Sequence, residues 1–208
     1  MNRGVSAARN TGIRSALGAF VAFLDSDDEW LNKKLAYQIE HAGSTETSGG
    51  FFYCYAYVVQ TGIIFIRDQM CCDGNVRDPL LKGWRPMPSC ILVRRDILLR
   101  ERFDESLGCF EDYELYLRLS AITEVRCLPR ALVLYHTNAD NRVTWNPENH
   151  KLGLANLDRK WLKRLSGRER KQFEALQHER RKIVASIELS QYLKGYLLLA
   201  LPRIAFLS

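Results

Sequence analysis

The feature that most constrains the fold of this chain is a short apolar run that ends in a group of carboxylates. Residues 19–24 (AFVAFL) are apolar, and Asp25, Asp27 and Asp28 follow within four positions. Such a run is typical of a strand buried on both faces of a parallel sheet. The carboxylates then lie at the carboxyl end of that strand, the edge where open α/β sheets bind ligands. Because like charges repel at close range, the pattern indicates a cation among them, most directly a divalent metal.

Helix and strand patterns alternate along residues 1–147 and predict an α/β sheet domain. From residue 148 to residue 208 the pattern is helical and predicts a basic, amphipathic tail. The predicted helices are residues 5–17, 32–42 and 109–122, with a short one from residue 96. The predicted strands are residues 19–24, 89–95 and 131–136, with a hairpin of residues 51–59 and 63–67. A polar stretch rich in Pro and Gly, residues 79–88, predicts a loop.

The composition is that of a globular protein. The 208 residues are 47% hydrophobic and 26% charged, which suits one domain with a helical extension. The six cysteines show no C-x-x-C spacing, so we expect reduced thiols and a cytoplasmic location rather than a disulfide framework or a zinc site. The apolar run from Gly195 to Pro202 is far shorter than the ~20 residues that span a bilayer, so we expect no transmembrane segment.

Two segments of the sequence carry a resemblance to a known family. Residues 2–30 (NRGVSAARNTGIRSALGAFVAFLDSDDEW) resemble the middle of family 2 glycosyltransferases, and residues 103–119 (FDESLGCFEDYELYLRL) resemble the family's second signature. The resemblance covers roughly residues 2–145. It implies a partial Rossmann-like nucleotide-diphosphosugar transferase sheet, and an enzyme that moves a sugar from a nucleotide-diphosphate donor to an acceptor hydroxyl in polysaccharide or cell-envelope biosynthesis.

The resemblance implies a donor and metal site around the first signature. Asp25 and Asp27 would bind Mg²⁺ or Mn²⁺ and the donor, with Asp28 as a third member, since hard cations prefer oxygen ligands. The alternative is an acidic turn exposed to solvent. His136, at the end of the last predicted strand, resembles a family position near the metal and the diphosphate. The alternative for His136 is a buried, hydrogen-bonded histidine.

The donor site would also include two residues of the first predicted helix. Arg9 would reach the donor diphosphate or fix the loop that does, and Asn10 follows it in the family pattern. An ordinary surface arginine is the alternative for Arg9. Both residues are therefore expected at the donor side of the site.

The second signature supplies the expected catalytic residues. In a family member that inverts the anomeric centre, the second carboxylate of the Glu-Asp pair takes the proton of the acceptor hydroxyl. The resemblance gives this role to Asp112, with Glu111 beside it. The alternative is that both carboxylates only complement the dipole at the start of a helix. Trp84 and Ser89 lie where the acceptor of the family would approach.

The positive charge of the chain is concentrated in one segment. Its net charge is +6, and the segment from Arg159 to Lys182 holds ten Lys or Arg residues against three Glu. Charge alone would suit nucleic acid, but the interspersed Glu residues are more typical of a solvated helix face, and we expect no nucleic-acid partner. Together with the apolar C-terminus, the segment would suit peripheral contact with a cytoplasmic membrane face that carries saccharide or lipid-linked acceptors.

The chain departs from the family pattern at its beginning. Family members begin with about two strands and two helices before the Asn-x-Gly motif, whereas this sequence begins inside that motif. Glu101 and Arg102 also stand where the family has a Gly before FDE. Two hypotheses follow from these departures. The chain is a glycosyltransferase, or it is a truncated inactive remnant or binding module that keeps the metal loop without the nucleotide-base pocket.

Overall fold

The computed structural model describes residues 4–44, 49–60, 63–66, 71–137 and 146–200. Within them the chain forms six strands, seven α-helices and one 3-10 helix, Pro88–Cys90. The strands are β1 Phe20–Ala22, β2 Asp28–Trp30, β3 Phe51–Gln60, β4 Ile63–Ile66, β5 Ile91–Arg94 and β6 Val125–His136. The helices are α1 Val5–Ser15, α2 Lys34–Ser44, α3 Arg77–Leu81, α4 Arg95–Arg100, α5 Glu111–Leu119, α6 Pro147–Trp161 and α7 Gly167–Ala200. The expected α/β class is confirmed.

The six described strands form one mixed sheet. The strand order is β1-β5-β3-β6-β2, with β4 paired to β3. Only β3 and β6 run parallel among the described pairs, and the remaining pairs are antiparallel. The predicted hairpin of β3 and β4 is confirmed by its antiparallel register.

The prediction that residues 19–24 lie inside a parallel sheet is wrong for the described strands. β1 has three residues, pairs antiparallel with β5 and ends the described sheet. Val21 and Phe23 are buried, whereas Leu24 is about half exposed. An apolar run reports that side chains are buried, but it carries no information on the direction of the neighbouring strand. The apolar pattern therefore identified the strand and not its pairing.

The helices after residue 147 pack on the sheet domain. Leu154, Leu157 and Trp161 of α6 and Phe173 of α7 belong to the same hydrophobic cluster as Phe51 of β3. An ion pair adds to this contact, since Lys160 Nζ lies 2.7 Å from Oε1 of the fully buried Glu114 of α5. The division into residues 1–147 and 148–208 remains a prediction, and both parts contribute side chains to one core.

Two further sequence expectations concern the cysteines and the membrane. All six cysteines lie in described residues and carry free thiols. No helix in the described part of the chain is long and apolar enough to cross a membrane. The amphipathic end predicted for the tail lies partly outside the described residues, because residues 201–208 are not among them.

Candidate functional site

Arg9 connects the two signatures of the sequence. It lies on α1, and its side chain is only 10% exposed. Its Nη2 donates to Asp25 Oδ1 at 2.6 Å, and its Nη1 donates to Glu111 Oε1 at 2.8 Å. Burial would lower the pKa of Arg9, but the two carboxylates outweigh burial and raise it. The guanidinium therefore joins the acidic loop after β1 to the start of α5.

Asn10 holds the FDE turn that precedes α5. Its Nδ2 donates to the carbonyl oxygen of Phe103 at 2.9 Å and to Glu105 Oε1 at 3.0 Å, while its Oδ1 accepts from the Phe103 N–H at 2.9 Å. The residue is 3% exposed. The amide of Asn10 is thus used in fixing the turn, and contact of Asn10 with a donor stays a prediction.

Ser89 organises the acidic loop from the opposite side. Its Oγ accepts from the Asp25 N–H at 3.1 Å and donates to Asp28 Oδ2 at 2.6 Å, and its carbonyl oxygen accepts from Trp30 Nε1 at 2.9 Å. Asp28 is 7% exposed, while Asp25 and Asp27 remain partly exposed. Asp28 therefore helps to shape the loop, and Asp25 and Asp27 are the carboxylates that solvent reaches.

The four residues expected at a metal are not brought together as one ligand set. His136 Nε2 lies 2.9 Å from Glu29 Oε1, on neighbouring strands β6 and β2, and its side chain is 33% exposed. Among the described residues, no three side chains of the His, Cys, Asp or Glu type are grouped as a metal site. Asp25 and Asp27 offer oxygen ligands of the kind that Mg²⁺ and Mn²⁺ prefer. Two carboxylates could supply part of a divalent metal site, and the metal site stays a prediction.

Glu111 and Asp112 open α5, as the sequence predicts. The preceding Phe110 adopts a left-handed conformation with φ 62°, which turns the chain into the helix. Asp112 Oδ1 accepts from the Tyr113 N–H at 2.7 Å and lies 3.5 Å from Arg85 Nη1. Burial and the negative charge of Asp112 raise the pKa of Glu111, although Arg9 opposes that shift.

Three basic residues that sequence reasoning did not single out surround the start of α5. Arg85 and Arg180 place their guanidinium carbons 5.8 and 4.8 Å from the centre of the Phe110 ring, and the His150 ring packs on Phe110 at 5.2 Å. Arg180 also lies 4.0 Å from the centre of the Tyr113 ring. No local signal distinguishes Arg180 from the other cations of its basic helix, so only the three-dimensional packing identifies it.

The first half of the chain matches a known family. Residues 1–101 match the model of "Glycosyl transferase family 2". The Escherichia coli protein WfgD, named UDP-Glc:alpha-D-GlcNAc-diphosphoundecaprenol beta-1,3-glucosyltransferase, is 54% identical over 131 residues, which are 60% of this chain and 49% of that protein. An uncharacterized glycosyltransferase of Rickettsia bellii is 24% identical over 159 residues, 75% of this chain and 23% of that protein. The chain thus spans about a quarter to a half of the length of these relatives.

Solved structures share the fold. The mannosyltransferase PcManGT from Pyrobaculum calidifontis, in complex with GDP-Man and Mn²⁺, aligns with a TM-score of 0.53 at 18% identity, over 97% of this chain and 61% of that one. S. aureus TarS 1–349 in complex with UDP-GlcNAc aligns with a TM-score of 0.52 at 15% identity, over 90% of this chain and 53% of that one. At these identities the likeness concerns the fold alone. The match of residues 1–101 and the curated relatives assign this part of the chain to glycosyl transferase family 2, and the solved structures add the shared fold.

Proposed function

We propose that this chain transfers a sugar from a nucleotide-diphosphate sugar to an acceptor hydroxyl, with inversion at the anomeric carbon. The observation that carries the proposal is the bridge made by Arg9, which binds Asp25 and Glu111 at 2.6 and 2.8 Å. These carboxylates are 86 positions apart in the sequence and belong to the two family signatures. A donor held at the acidic loop would therefore lie next to the Glu-Asp pair, as a direct displacement requires.

The donor side of the proposed site consists of Asp25, Asp27 and Arg9. Asp25 and Asp27 would hold Mg²⁺ or Mn²⁺ through carboxylate oxygens, and PcManGT, which has the same fold, is described with GDP-Man and Mn²⁺. When bound, the metal supplies positive charge that neutralises the departing diphosphate. Arg9 holds Asp25 in place and keeps a second positive charge at the diphosphate side. Asp28, through its hydrogen bond to Ser89, fixes the loop that carries both ligands.

The acceptor side of the proposed site consists of Asp112 and its neighbours. Asp112 would accept the proton of the attacking hydroxyl as general base. Glu111 is bonded to Arg9 and would keep that guanidinium in position. Asp112 bonds to the Tyr113 N–H through Oδ1, which fixes the orientation of its carboxylate. Proton transfer and positioning are therefore divided between adjacent carboxylates.

The acceptor is proposed to be a saccharide linked to a lipid at the cytoplasmic face of a membrane. The name of WfgD specifies a diphosphoundecaprenol-linked sugar as acceptor, and this relative is 54% identical over the matched residues. Six free thiols are typical of a reducing compartment. The basic segment from Arg159 to Lys182 would favour contact with anionic lipid.

A donor screen tests the proposal. Nucleotide-diphosphate sugars are offered with Mn²⁺ and an alkyl-diphosphate-linked N-acetylglucosamine acceptor, and release of nucleoside diphosphate is measured. We expect one donor to give acceptor-dependent release that a chelator abolishes. The variant Asp27→Ala should lose metal-dependent donor binding at a nearly unchanged melting temperature, because a partly exposed loop carboxylate contributes little to the core. The matched control Asp96→Ala removes a carboxylate that is 51% exposed on α4 and should leave donor binding intact.

Two outcomes would count against the proposal. If Asp27→Ala binds donor with unchanged Mn²⁺ dependence, the metal does not sit at this loop. If no donor is bound or consumed under any condition, the alternative of an inactive remnant or binding module is favoured. The family match and the bridge between the two signatures favour the transferase.

A further inference from the structure

A cluster of basic side chains surrounds Phe110, the residue that precedes Glu111 and Asp112. Arg85 comes from the segment after α3, His150 from α6 and Arg180 from α7. All three contact the ring of Phe110, which directly precedes Glu111 and Asp112. Three separate segments therefore bring a positive or protonatable group to the acceptor side of the proposed base.

Two nitrogen atoms of this basic cluster are buried without a hydrogen-bond partner in the described part of the chain. They are Nη1 of Arg180 and Nε2 of His150, and His150 as a whole is only 9% exposed. Buried polar nitrogens are almost always hydrogen-bonded in native proteins, because leaving them unpaired is unfavourable. These two nitrogens keep hydrogen-bonding capacity that a group from outside the chain could complete.

The charge of the cluster indicates that this group is an anion. Arg85 lies 3.5 Å from Asp112, and the neighbouring Glu111 is already bonded to Arg9. No ion pair of Arg180 occurs among the described residues, and its guanidinium stacks on aromatic rings instead. Burial, together with the nearby charge of Arg85, lowers the pKa of Arg180 to about 10. An anion near Arg85 and Arg180 would add to the negative charge that Asp112 already supplies.

The position of the cluster identifies the source of the anion. The donor diphosphate belongs at Asp25 and Asp27, on the Arg9 side of the Glu-Asp pair, whereas the cluster lies on the Arg85 side of Asp112. A saccharide whose hydroxyl reaches Asp112 would lie next to Arg85, which packs with Arg180 against the Phe110 ring. Resting on the proposed function, we propose that Arg85, Arg180 and His150 bind the phosphate or diphosphate group of a phosphorylated saccharide acceptor.

The chemistry of the three side chains suits this ligand. Guanidinium groups form paired, charge-assisted hydrogen bonds with phosphate oxygens, and two of them can hold the two phosphates of a diphosphate. The side chain of Arg85 is 35% exposed, so solvent reaches the cluster at Arg85. His150 adds one imidazole nitrogen that can bond a phosphate oxygen. Recognition of the phosphate would fix the saccharide with its hydroxyl at Asp112.

Two acceptors that differ only in the phosphate test the inference. The same sugar is offered as an alkyl diphosphate ester and as a neutral alkyl glycoside, and kcat/KM is measured for both. We expect the unchanged chain to prefer the diphosphate ester. In Arg180→Gln, which removes the charge at similar length, the ratio of the two kcat/KM values should fall at least about tenfold, mainly through KM. The control Arg170→Gln removes a charge from an exposed position of the same helix and should keep the ratio.

Binding measurements separate this inference from the proposed function and from a structural role. Calorimetry without donor or metal should detect binding of an alkyl diphosphate to the unchanged chain. The affinity of His150→Gln for the same compound should be at least about tenfold weaker. This readout needs no turnover, so it decides the inference even if no sugar donor is found. Binding of a nucleoside diphosphate with Mn²⁺ should not change in Arg180→Gln.

Three results would overturn the inference. The first is that the unchanged chain has equal kcat/KM for the two acceptors, or that it does not bind the alkyl diphosphate. The second is weaker binding of the nucleoside diphosphate in Arg180→Gln, which would assign the cluster to the donor. The third is an equal loss for both acceptors with a lower melting temperature, which would mean that Arg180 only anchors α7 on Phe110 and Tyr113.

Discussion

Arg9 holds carboxylates from two distant parts of the chain, and under the proposed function this leaves Asp112 for proton transfer. Glu111 accepts a hydrogen bond from Arg9, and its pKa is raised mainly by burial. Asp112 has no bond to Arg9 and faces Arg85 at 3.5 Å. Under the proposed function Glu111 orients the guanidinium of Arg9, and Asp112 receives the proton. Substitutions of Asp112 and Glu111 should therefore have different effects on the rate of transfer.

Replacing Asp112 with Asn keeps the size of the side chain and its hydrogen bond to the Tyr113 N–H, but the amide cannot accept a proton. General-base assistance contributes roughly 10²–10⁴-fold in rate. We expect transfer to fall by at least about a hundredfold, with donor affinity and melting temperature nearly unchanged. Initial rates, donor titration and thermal unfolding measure the three quantities.

Glu111→Gln is the matched control for the aspartate variant, since it removes the neighbouring negative charge. Its amide oxygen can still accept a hydrogen bond from Arg9, so transfer should fall less than in Asp112→Asn. Transfer that stays near its original rate in Asp112→Asn, or that falls only in proportion to unfolding, would mean that Asp112 merely complements the start of α5.

At the scale of elements, α1 and α5 are joined through the FDE turn. Asn10 bonds both backbone groups of Phe103, and Asp104 of the same turn pairs with Lys160 of α6 at 2.8 Å. The turn thus contacts a helix on either side of it. Arg9 and Asn10 are neighbours on α1. The bonds from Asn10 to the turn therefore also help to keep Arg9 within hydrogen-bond distance of Glu111.

Asn10→Ala should destabilise the protein more than other Asn substitutions. It leaves the buried N–H and carbonyl groups of Phe103 without their side-chain partner, which costs about 2–4 kcal/mol of the free energy of unfolding. Urea unfolding measures this loss. The control Asn156→Ala, on a helix where the Asn side chain bonds only to an exposed Arg159, should cause no comparable loss. Equal stability of both variants would contradict the role of Asn10.

Asp104 provides a pH-dependent test of the contact between the turn and α6. Partial burial would raise its pKa, but the bonds from Lys160 and Ser106 lower it to about 2. Its contribution is therefore complete above about pH 4 and is lost as the pH falls through about 2. Asp104→Asn should lower the free energy of unfolding by about 1 kcal/mol at pH 7, allowing for partial exposure. The difference from the unchanged chain should shrink below pH 4.

Urea titrations at several pH values check the Asp104 prediction. Glu148→Gln is the control, because Glu148 is 79% exposed and pairs with Lys151 on the same helix. Its effect should be small at every pH. A difference between Asp104→Asn and the unchanged chain that stays constant from pH 7 to pH 2.5 would show that the Asp104 charge is not the cause.

Patterns in the sequence predicted most elements but not those that depend on distant pairing. The apolar runs gave β1, the β3–β4 hairpin and the last part of β6. They did not predict β2, because Asp28–Trp30 is a charged stretch that becomes a strand only by pairing with Val133–Tyr135 of β6. The Pro-rich stretch predicted as a loop begins inside α3, where Leu80 and Leu81 are buried in the core. Tertiary contacts override local propensity in both places.

The candidate site was likewise predicted only in part from the sequence, because some of its residues are brought together by distant contacts. The family signatures identified Arg9, Asp25 and the Glu-Asp pair as candidates, and the structure brings these residues together. Composition described the Arg159–Lys182 segment only as basic and solvated, yet Arg180 lies against the rings of Phe110 and Tyr113. Which cations of a helix face the core depends on what the helix packs against. A count of charges therefore could not identify the basic cluster at the acceptor side.

At the scale of the whole molecule, ion pairs reduce the charge that the basic segment offers to a membrane. Lys160 pairs with Asp104, Arg168 lies 3.5 Å from Asp78, and Arg181 pairs with Asp158. These cations attach the helices to one another and to the sheet domain. Lys163 and Lys171 are exposed and have no ion pair among the described residues. Attraction to anionic lipid should therefore depend strongly on these two lysines.

The lysines of the basic segment that have no ion pair among the described residues should direct contact with a membrane. The chain should bind vesicles that contain anionic lipid and should be released as salt rises, because surface attraction is screened over roughly 10 Å at 0.1 M salt. Each lysine near an anionic surface contributes about 1 kcal/mol, so reversing both charges in Lys163→Glu with Lys171→Glu should weaken binding by at least about tenfold. Vesicle sedimentation measures the bound fraction. The control Arg14→Glu with Arg100→Glu makes the same change in net charge on α1 and α4 and should weaken binding much less. If the chain binds neutral and anionic vesicles equally, or if both double variants lose binding equally, the basic segment does not direct membrane contact.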